Sequence, residues 1–364
     1  MMPSLTIDFR MHNASGIGTH IRNIVPYLVD KFNINLLGNT KEIEKYDWSD
    51  RVNIIDIKSK IYSIKEQLEL PLKIPKCDVF WSPHYNIPIL PIKAKKRAVT
   101  IHDVFHLAFY NQLNFSQKIY AKFVINQAVN RSDLVITDSN FSANEIRKYT
   151  NTSKNIEIIY NAVDLNKFKI IKDKETLNKI KVKYNLPNEF ILFVGNVKPH
   201  KNLRSLLLAL KELDINLVIV GKKEGFITRD ENILNLIKEN NLENRIFFTG
   251  YVPDEDLSAI YNLAKIFAFP SLYEGFGIPP LEAQACGCPV ICSNVASLPE
   301  VYGDSVLYCD PHNVDDIKEK IEYLINNETL REQLKLKGLK NAKRFSWGKS
   351  ARKIIKIFKR LSEK

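Results

Sequence analysis

The sequence predicts an α/β protein of two domains, each built on a parallel sheet. Three observations carry this. Short apolar runs alternate with segments of helical period along the whole chain. A strand followed by a glycine turn recurs in both halves. The length, 364 residues, suffices for two domains of ordinary size. A composition of 45% hydrophobic and 26% charged residues is that of a soluble globular protein.

Leu5 to Phe9 reads as the first strand. Ser15-Gly16-Ile17-Gly18 reads as a glycine turn leading into a helix that carries Ile21, Ile24, Val25 and Leu28 on one face. The turn lacks the third glycine of a dinucleotide fingerprint, and no acidic residue ends a well-placed second strand. It therefore serves either packing or close approach to a ligand. Ile34–Leu37, Val52–Ile57, Val79–Ser82 and Ala98–Ile101 read as further strands. Leu134–Thr137 and Ile156–Ile159 complete the first half, and Tyr160 to Asp164 reads as the crossing into the second. Strands then recur at Phe190–Val194, Leu217–Val220, Ile246–Thr249, Phe267–Phe269 and Val290–Cys292. Asp254-Glu255-Asp256 after Pro253 reads as a helix N-terminus.

The stretch Phe267 to Ser293 is the most informative. It reads as strand, glycine loop, helix, tight turn, strand. Gly275 and Gly277 flank Phe276 where the backbone needs freedom or close approach. Pro279 and Pro280 suit the first turn of a helix, and Gly287 suits its end. Glu274 lies in the loop and Glu282 in the expected first helical turn, seven residues between them. A helix start near Ile278 offers free N–H groups to an anion, and the two carboxylates offer acceptors to hydroxyls. These parts suit a phosphate flanked by hydroxyl-rich groups, as in a sugar nucleotide. The same two glutamates can also be solvated, or cap the helix.

EGFGIPPLEAQACGCPVI resembles the E-x7-E signature of glycosyltransferase family 4, retaining enzymes of the GT-B architecture. The continuation SNVASLPEVYGDSVLYCDP follows that family's run through Glu300 and Pro311. The resemblance implies two facing Rossmann-like domains with a cleft between them. Residues 1–165 would form the N-terminal acceptor-side domain and 166–345 the nucleotide-sugar-binding domain. Phe345-Ser346-Trp347 looks like the start of a last helix, 346–364, that returns to the first domain.

The resemblance also implies roles. Glu274 would bind the sugar's hydroxyls and Glu282 the ribose. The Gly16–Gly18 backbone, Lys201, and the Gly275-Phe276-Gly277-Ile278 segment would hold the diphosphate. Lys201 would stabilise charge that develops on the leaving diphosphate. The family pattern places a glycine and two cations after the first strand of the second domain. This chain keeps Gly195 and Lys201 but has Asn196 where many members have Arg. Which of Lys198, His200 or Arg204 compensates is left open. His102 and Asp103 follow the strand Ala98–Ile101, at the edge where open α/β sheets bind ligands. By resemblance His102 points toward the transferred sugar and Asp103 shapes the acceptor side.

His102-Asp103-x-x-His106 has a superficial likeness to a zinc motif. That motif needs both histidines on one helix face. No Asp-x-Asp stands at a strand end to hold Mg²⁺, so neither a metal nor a cofactor is expected. The patterns GIG, TIHD and TDS together with EGFGIPPLEA resemble bacterial O-antigen and surface-polysaccharide transferases, several of which use GDP-mannose. Two rivals share the architecture. A sugar-nucleotide epimerase would bind the donor without an acceptor, and the E-x7-E run argues against it. A non-catalytic nucleotide-sugar-binding protein would not need His102, Lys201, Glu274 and Glu282 together.

The net charge of +12 is uneven. From Arg331 to Lys364 there are 13 Lys+Arg and 2 Asp+Glu, so the rest of the chain is nearly neutral. The last segment is amphipathic, with Ala351, Ile354 and Phe358 at helical spacing and lysines between. It reads as a packed helix whose basic face is either solvated or meets anionic lipid headgroups. No nucleic-acid-binding module accompanies the charge, so nucleic acid is not an expected partner. Five cysteines without a disulfide rhythm point to a reducing cytosol, and MMPSLTIDFRM reads as a strand rather than a leader. The expected location is cytoplasmic, peripheral on the inner face of the membrane.

Overall fold

The computed structural model describes residues 2–110, 115–196, 198–221 and 231–363. Met1 and Lys364 lie outside the described residues.

The chain divides into two compact units, Met1–Asn161 with Trp347–Lys364, and Ala162–Ser346. The division falls at 161/162, slightly before the expected 165. Asn161 is tied to the first unit through His20 Nδ1, 2.8 Å from its Oδ1. Phe168 packs edge-on against Tyr261 of the second.

The first unit holds a seven-stranded parallel sheet in the order β3-β2-β1-β4-β5-β6-β7. Its strands are β1 (Ser4–Asp8), β2 (Asn33–Gly38), β3 (Asn53–Asp56), β4 (Cys77–Ser82), β5 (Ala94–Thr100), β6 (Leu134–Thr137) and β7 (Ile156–Ile158). The second unit holds six parallel strands in the order β10-β9-β8-β11-β12-β13. These are β8 (Phe190–Val194), β9 (Asn216–Val220), β10 (Ile246–Gly250), β11 (Ile266–Phe269), β12 (Val290–Ser293) and β13 (Leu307–Cys309). Most strands are continuous apolar runs because helices cover both faces of such sheets. All four residues of β11 and of β12 are buried.

β5 starts four residues before the sequence suggests. Its first half, Ala94 to Arg97, is polar and half exposed, and only its end is buried. Hydrophobic pattern therefore finds the buried end and misses the start. β13, three residues at the sheet edge, was not anticipated.

The last helix, Trp347–Ser362, packs into the first unit as expected. Ala351, Ile354 and Phe358 are fully buried, with Phe358 edge-on to Trp81 at 5.5 Å. Lys353 Nζ donates to the Ile158 carbonyl at 2.6 Å, and Arg360 reaches Glu157 at 3.3 Å. All five cysteines are buried and unpaired with one another.

Candidate active site

In each sheet the chain builds outward from one strand and then crosses to its other side. The reversal lies between β1 and β4 in the first unit and between β8 and β11 in the second. The crevice beyond the carboxyl ends at such a reversal is the usual ligand site of open α/β sheets.

In the second unit, the segments that leave β8 and β11 bring Lys201 and Glu274 together. Lys201 Nζ lies 2.6 Å from Glu274 Oε1, and the side chains are 18% and 11% exposed. The ammonium also sits 5.2 Å over the Phe269 ring. The two loops are joined by backbone as well. Leu272 N–H donates to the His200 carbonyl at 2.7 Å. Asn202 Nδ2 donates to the carbonyls of Pro270 and Pro311, at 3.1 and 2.7 Å. A cation and a carboxylate are thus held ready, each reachable by a polar ligand. Gly195 begins this first loop, Asn196 and Lys198 are exposed along it, and Arg204 is exposed on the helix Leu203–Leu210 that follows. Lys201 is the cation that bonds Glu274; exposure does not single out a second among Lys198, His200 and Arg204.

The loop Glu274–Gly277 ends in the helix Ile278–Ala285, with proline in its first turn. Gly277 has φ +85, and a Cβ there would lie 2.8 Å from Leu298 Cδ2. Its carbonyl accepts from the Tyr302 hydroxyl, and the Glu274 carbonyl accepts from Ser297 Oγ at 2.9 Å. Phe276 is buried edge-on to Phe345. Gly275 completes the loop. Asn202, Ser297 and Tyr302 were not identified from the sequence. They act through backbone carbonyls distant in sequence, and no local pattern marks that.

Glu282 corrects one expectation. It is the fifth residue of its helix and so belongs to the second turn, away from the free N–H groups. Its Oε2 accepts from the Tyr261 hydroxyl at 3.0 Å. Burial pushes its carboxyl up to about 7, the Tyr261 bond pulls against this, and Asp254 adds to it. It is a carboxyl poised near neutrality.

In the first unit, Gly16 and Gly18 are also displaced from expectation. They lie inside the first turn of the helix Ser15–Leu28, not in a turn before it. The two glycines differ. A Cβ at Gly18 would stand 2.4 Å from the His12 carbonyl oxygen, so packing demands glycine. A Cβ at Gly16 meets nothing within 4 Å, and Gly16 is exposed. Packing therefore gives no reason for glycine there.

His102 follows β5 with both ring nitrogens against acceptors. Nδ1 lies 2.6 Å from Asp138 Oδ2 and Nε2 lies 3.0 Å from the Pro83 carbonyl. Burial opposes its charge, but Asp138, Asp103 and the Pro83 carbonyl outweigh it and raise the pKa above that of ordinary histidine. Beside it His20 is pushed down to about 4 by burial and by the His102 charge. Asp103 Oδ1 accepts from the Phe105 N–H at 2.9 Å and so opens the short helix Phe105–Ala108. His106 stands on that helix, 6.3 Å ring to ring from Tyr85. Among the described residues the His/Asp group with ligand spacing is His20, His102 and Asp138, not His102 with His106. A ring that donates from both nitrogens has no lone pair for an ion. The donor set suits a held imidazolium better than a metal.

Sequence reasoning passed over a buried charge cluster at the end of β1. Arg10 Nη2 lies 2.6 Å from both Asp8 Oδ2 and Glu66 Oε1, and both carboxylates are fully buried. The run Asp8-Phe9-Arg10 at a strand end was the available signal.

Comparison with known proteins bears on this layout. A family profile described as "Glycosyl transferases group 1" matches residues 174–344, and one described as "Glycosyltransferase Family 4" matches residues 14–167. The O-antigen chain mannosyltransferase B of Escherichia coli is 33% identical over 278 residues, 75% of this chain and 72% of that protein. The chain belongs to glycosyltransferase family 4. The O-antigen chain mannosyltransferase RfbU of Salmonella typhimurium is 31% identical over 74% of this chain and 70% of its own. Anabaena Alr3699/HepE, solved in complex with UDP and glucose, superposes with a TM-score of 0.79 at 17% identity, covering 99% of this chain and all of its own. That likeness shows the fold, which is GT-B. As a member of family 4 the protein is an enzyme, a glycosyltransferase.

Proposed function

We propose that the protein is a retaining hexosyltransferase that moves mannose from GDP-mannose to a lipid-linked glycan in O-antigen or related surface-polysaccharide synthesis. The observation that carries the proposal is the Lys201–Glu274 pair at the β8/β11 reversal, next to a helix start whose Gly277 admits no side chain. On binding, the donor diphosphate takes Lys201 and the sugar hydroxyls take Glu274, so the pair opens onto the ligand. Lys201 gains most when the sugar–phosphate bond breaks and the diphosphate acquires another negative charge. The acceptor oxygen attacks from the face the diphosphate leaves, and a phosphate oxygen takes its proton. The anomeric configuration is retained without a protein nucleophile. The mannose assignment rests on the names of the two enterobacterial relatives. The protein works in the cytoplasm, peripherally at the membrane, and needs no metal.

The test is a panel of sugar nucleotides offered to the purified protein with a mannan or lipid-linked acceptor. GDP-mannose is expected to be consumed and to raise the melting temperature most. Preference for a UDP-sugar would overturn the donor assignment, and is the alternative raised by the UDP and glucose bound to Alr3699/HepE. Interconversion of free UDP-sugar without acceptor would point to an epimerase.

A further inference from the structure

We infer that the first unit docks on an anionic lipid bilayer through a face made by the helices Ile64–Lys73 and Phe115–Arg131. On the first helix Ile64, Leu68 and Leu72 recur every four residues and so form one stripe. Ile64 is 86% exposed and Leu72 78%. On the second helix Ile119, Tyr120 and Phe123 are also exposed. Tyr62, itself exposed, bridges the two with its ring 6.4 Å from that of Tyr120. Large apolar side chains exposed singly are ordinary, but a three-residue stripe joined through Tyr62 to exposed side chains of a second helix is a surface awaiting a partner.

Charge names the partner. The helix Phe115–Arg131 contains lysines 118 and 122 and no carboxylate. The helix Ile64–Lys73 has two glutamates, and both are engaged. Glu66 is buried against Arg10 and Asn86. Glu69 accepts from the backbone N–H groups of Lys58 and Ser59 at 3.1 and 2.8 Å. The exposed charge around the apolar stripe is therefore lysine, from Lys58, Lys60, Lys65 and Lys122. Apolar and tyrosine side chains edged by lysine match the acyl boundary and the anionic headgroups of a bilayer. The C-terminal helix is the weaker candidate despite its charge. Its apolar stripe is buried in the unit, and Lys353 and Arg360 already bond Ile158 and Glu157. Among the described residues no helix is long and apolar enough to cross a membrane, so attachment is at the interface.

The inference deepens the proposed use of a lipid-linked acceptor, and its test is separable from that reading. Sedimentation with vesicles of phosphatidylglycerol and phosphatidylethanolamine is compared with phosphatidylcholine vesicles. The variants are Leu68→Ser/Leu72→Ser, Lys118→Gln/Lys122→Gln, and Lys356→Gln/Lys359→Gln on the C-terminal helix. The first pair is expected to cut binding to anionic vesicles at least about tenfold, and the second to weaken it in a salt-dependent way. The third should leave binding unchanged. Retained melting temperatures and donor hydrolysis show that the fold survives. Wild-type binding by both of the first two variants, or loss confined to the third, would overturn the inference. So would light scattering that shows a dimer dispersed by Leu68→Ser/Leu72→Ser with no vesicle binding at all. Vesicle binding without any sugar transfer would sink the proposed function and leave this surface standing.

Discussion

Lys201 and Glu274 hold each other at 2.6 Å before any ligand arrives. Each is partly exposed, so the pair costs little to open and is aligned for the donor. Lys201→Ala and Glu274→Gln are each expected to lower kcat at least tenfold while circular dichroism stays native. Losing one charge-assisted contact costs ~1.5–3 kcal/mol, or roughly ten- to hundredfold in rate. Near-normal turnover in either variant would remove its role. Glu282 makes a pH-dependent prediction. Its carboxyl is pushed up to about 7 by burial, so below that pH it is mostly protonated. Ribose hydroxyls that donate to it favour the ionised form. Donor KM should therefore rise as pH falls through about 7, and Glu282→Gln should flatten the profile. A profile flat in the wild type would mean that the donor does not touch this carboxyl. His102 makes the third. With both of its nitrogens on acceptors, excess EDTA should leave turnover within about twofold. Activity lost to chelator and restored by Zn²⁺, Mn²⁺ or Mg²⁺ would require His20, His102 and Asp138 to hold an ion after all.

The two glycines of the first helix separate packing from function at the level of the element. Gly18→Ala forces a methyl against the His12 carbonyl and should destabilise by ~1–3 kcal/mol. Gly16→Ala has room and removes backbone freedom, so it should stabilise by up to roughly 0.5–1 kcal/mol. If donor phosphate approaches this turn, the same change should raise donor KM. Thermal melts and donor kinetics on the two variants read both effects. A destabilised Gly16→Ala protein with unchanged KM would contradict the assignment. The helix Ile278–Ala285 shows the same division. Pro279 and Pro280 start it wherever it sits, but its approach to the site depends on Gly277 lying tight against Leu298 and on the Tyr302 hydroxyl.

On the scale of the molecule, each unit carries its own parallel sheet and its own reversal point. The first is completed by the chain's last helix. Truncation after Ser346 removes the buried Ala351, Ile354 and Phe358 and uncovers Trp81 and Phe32. The truncated protein is expected to be insoluble, or to lose a cooperative transition in calorimetry. A soluble product that melts like the full chain would show that the helix is an accessory. The charge of the tail takes a second meaning here: Lys353 and Arg360, though exposed, also fasten the helix to Ile158 and Glu157.

The amino-acid sequence alone discloses the fold class, nearly all the strands, and the family. It also marked Lys201, Glu274 and Gly277. These are legible because hydrophobic period, glycine and proline placement, and motif spacing are local, and a buried parallel strand announces itself as an apolar run. Which groups meet is a matter of tertiary packing. It put Lys201 on Glu274 across 73 positions and His102 between Asp138 and Pro83. It joined Arg10 to Glu66, buried that carboxylate and engaged Glu69 with the backbone of Lys58 and Ser59, leaving an apolar and basic face. Such contacts depend on strand order and on which side of the sheet each connection returns, and no local spacing records either.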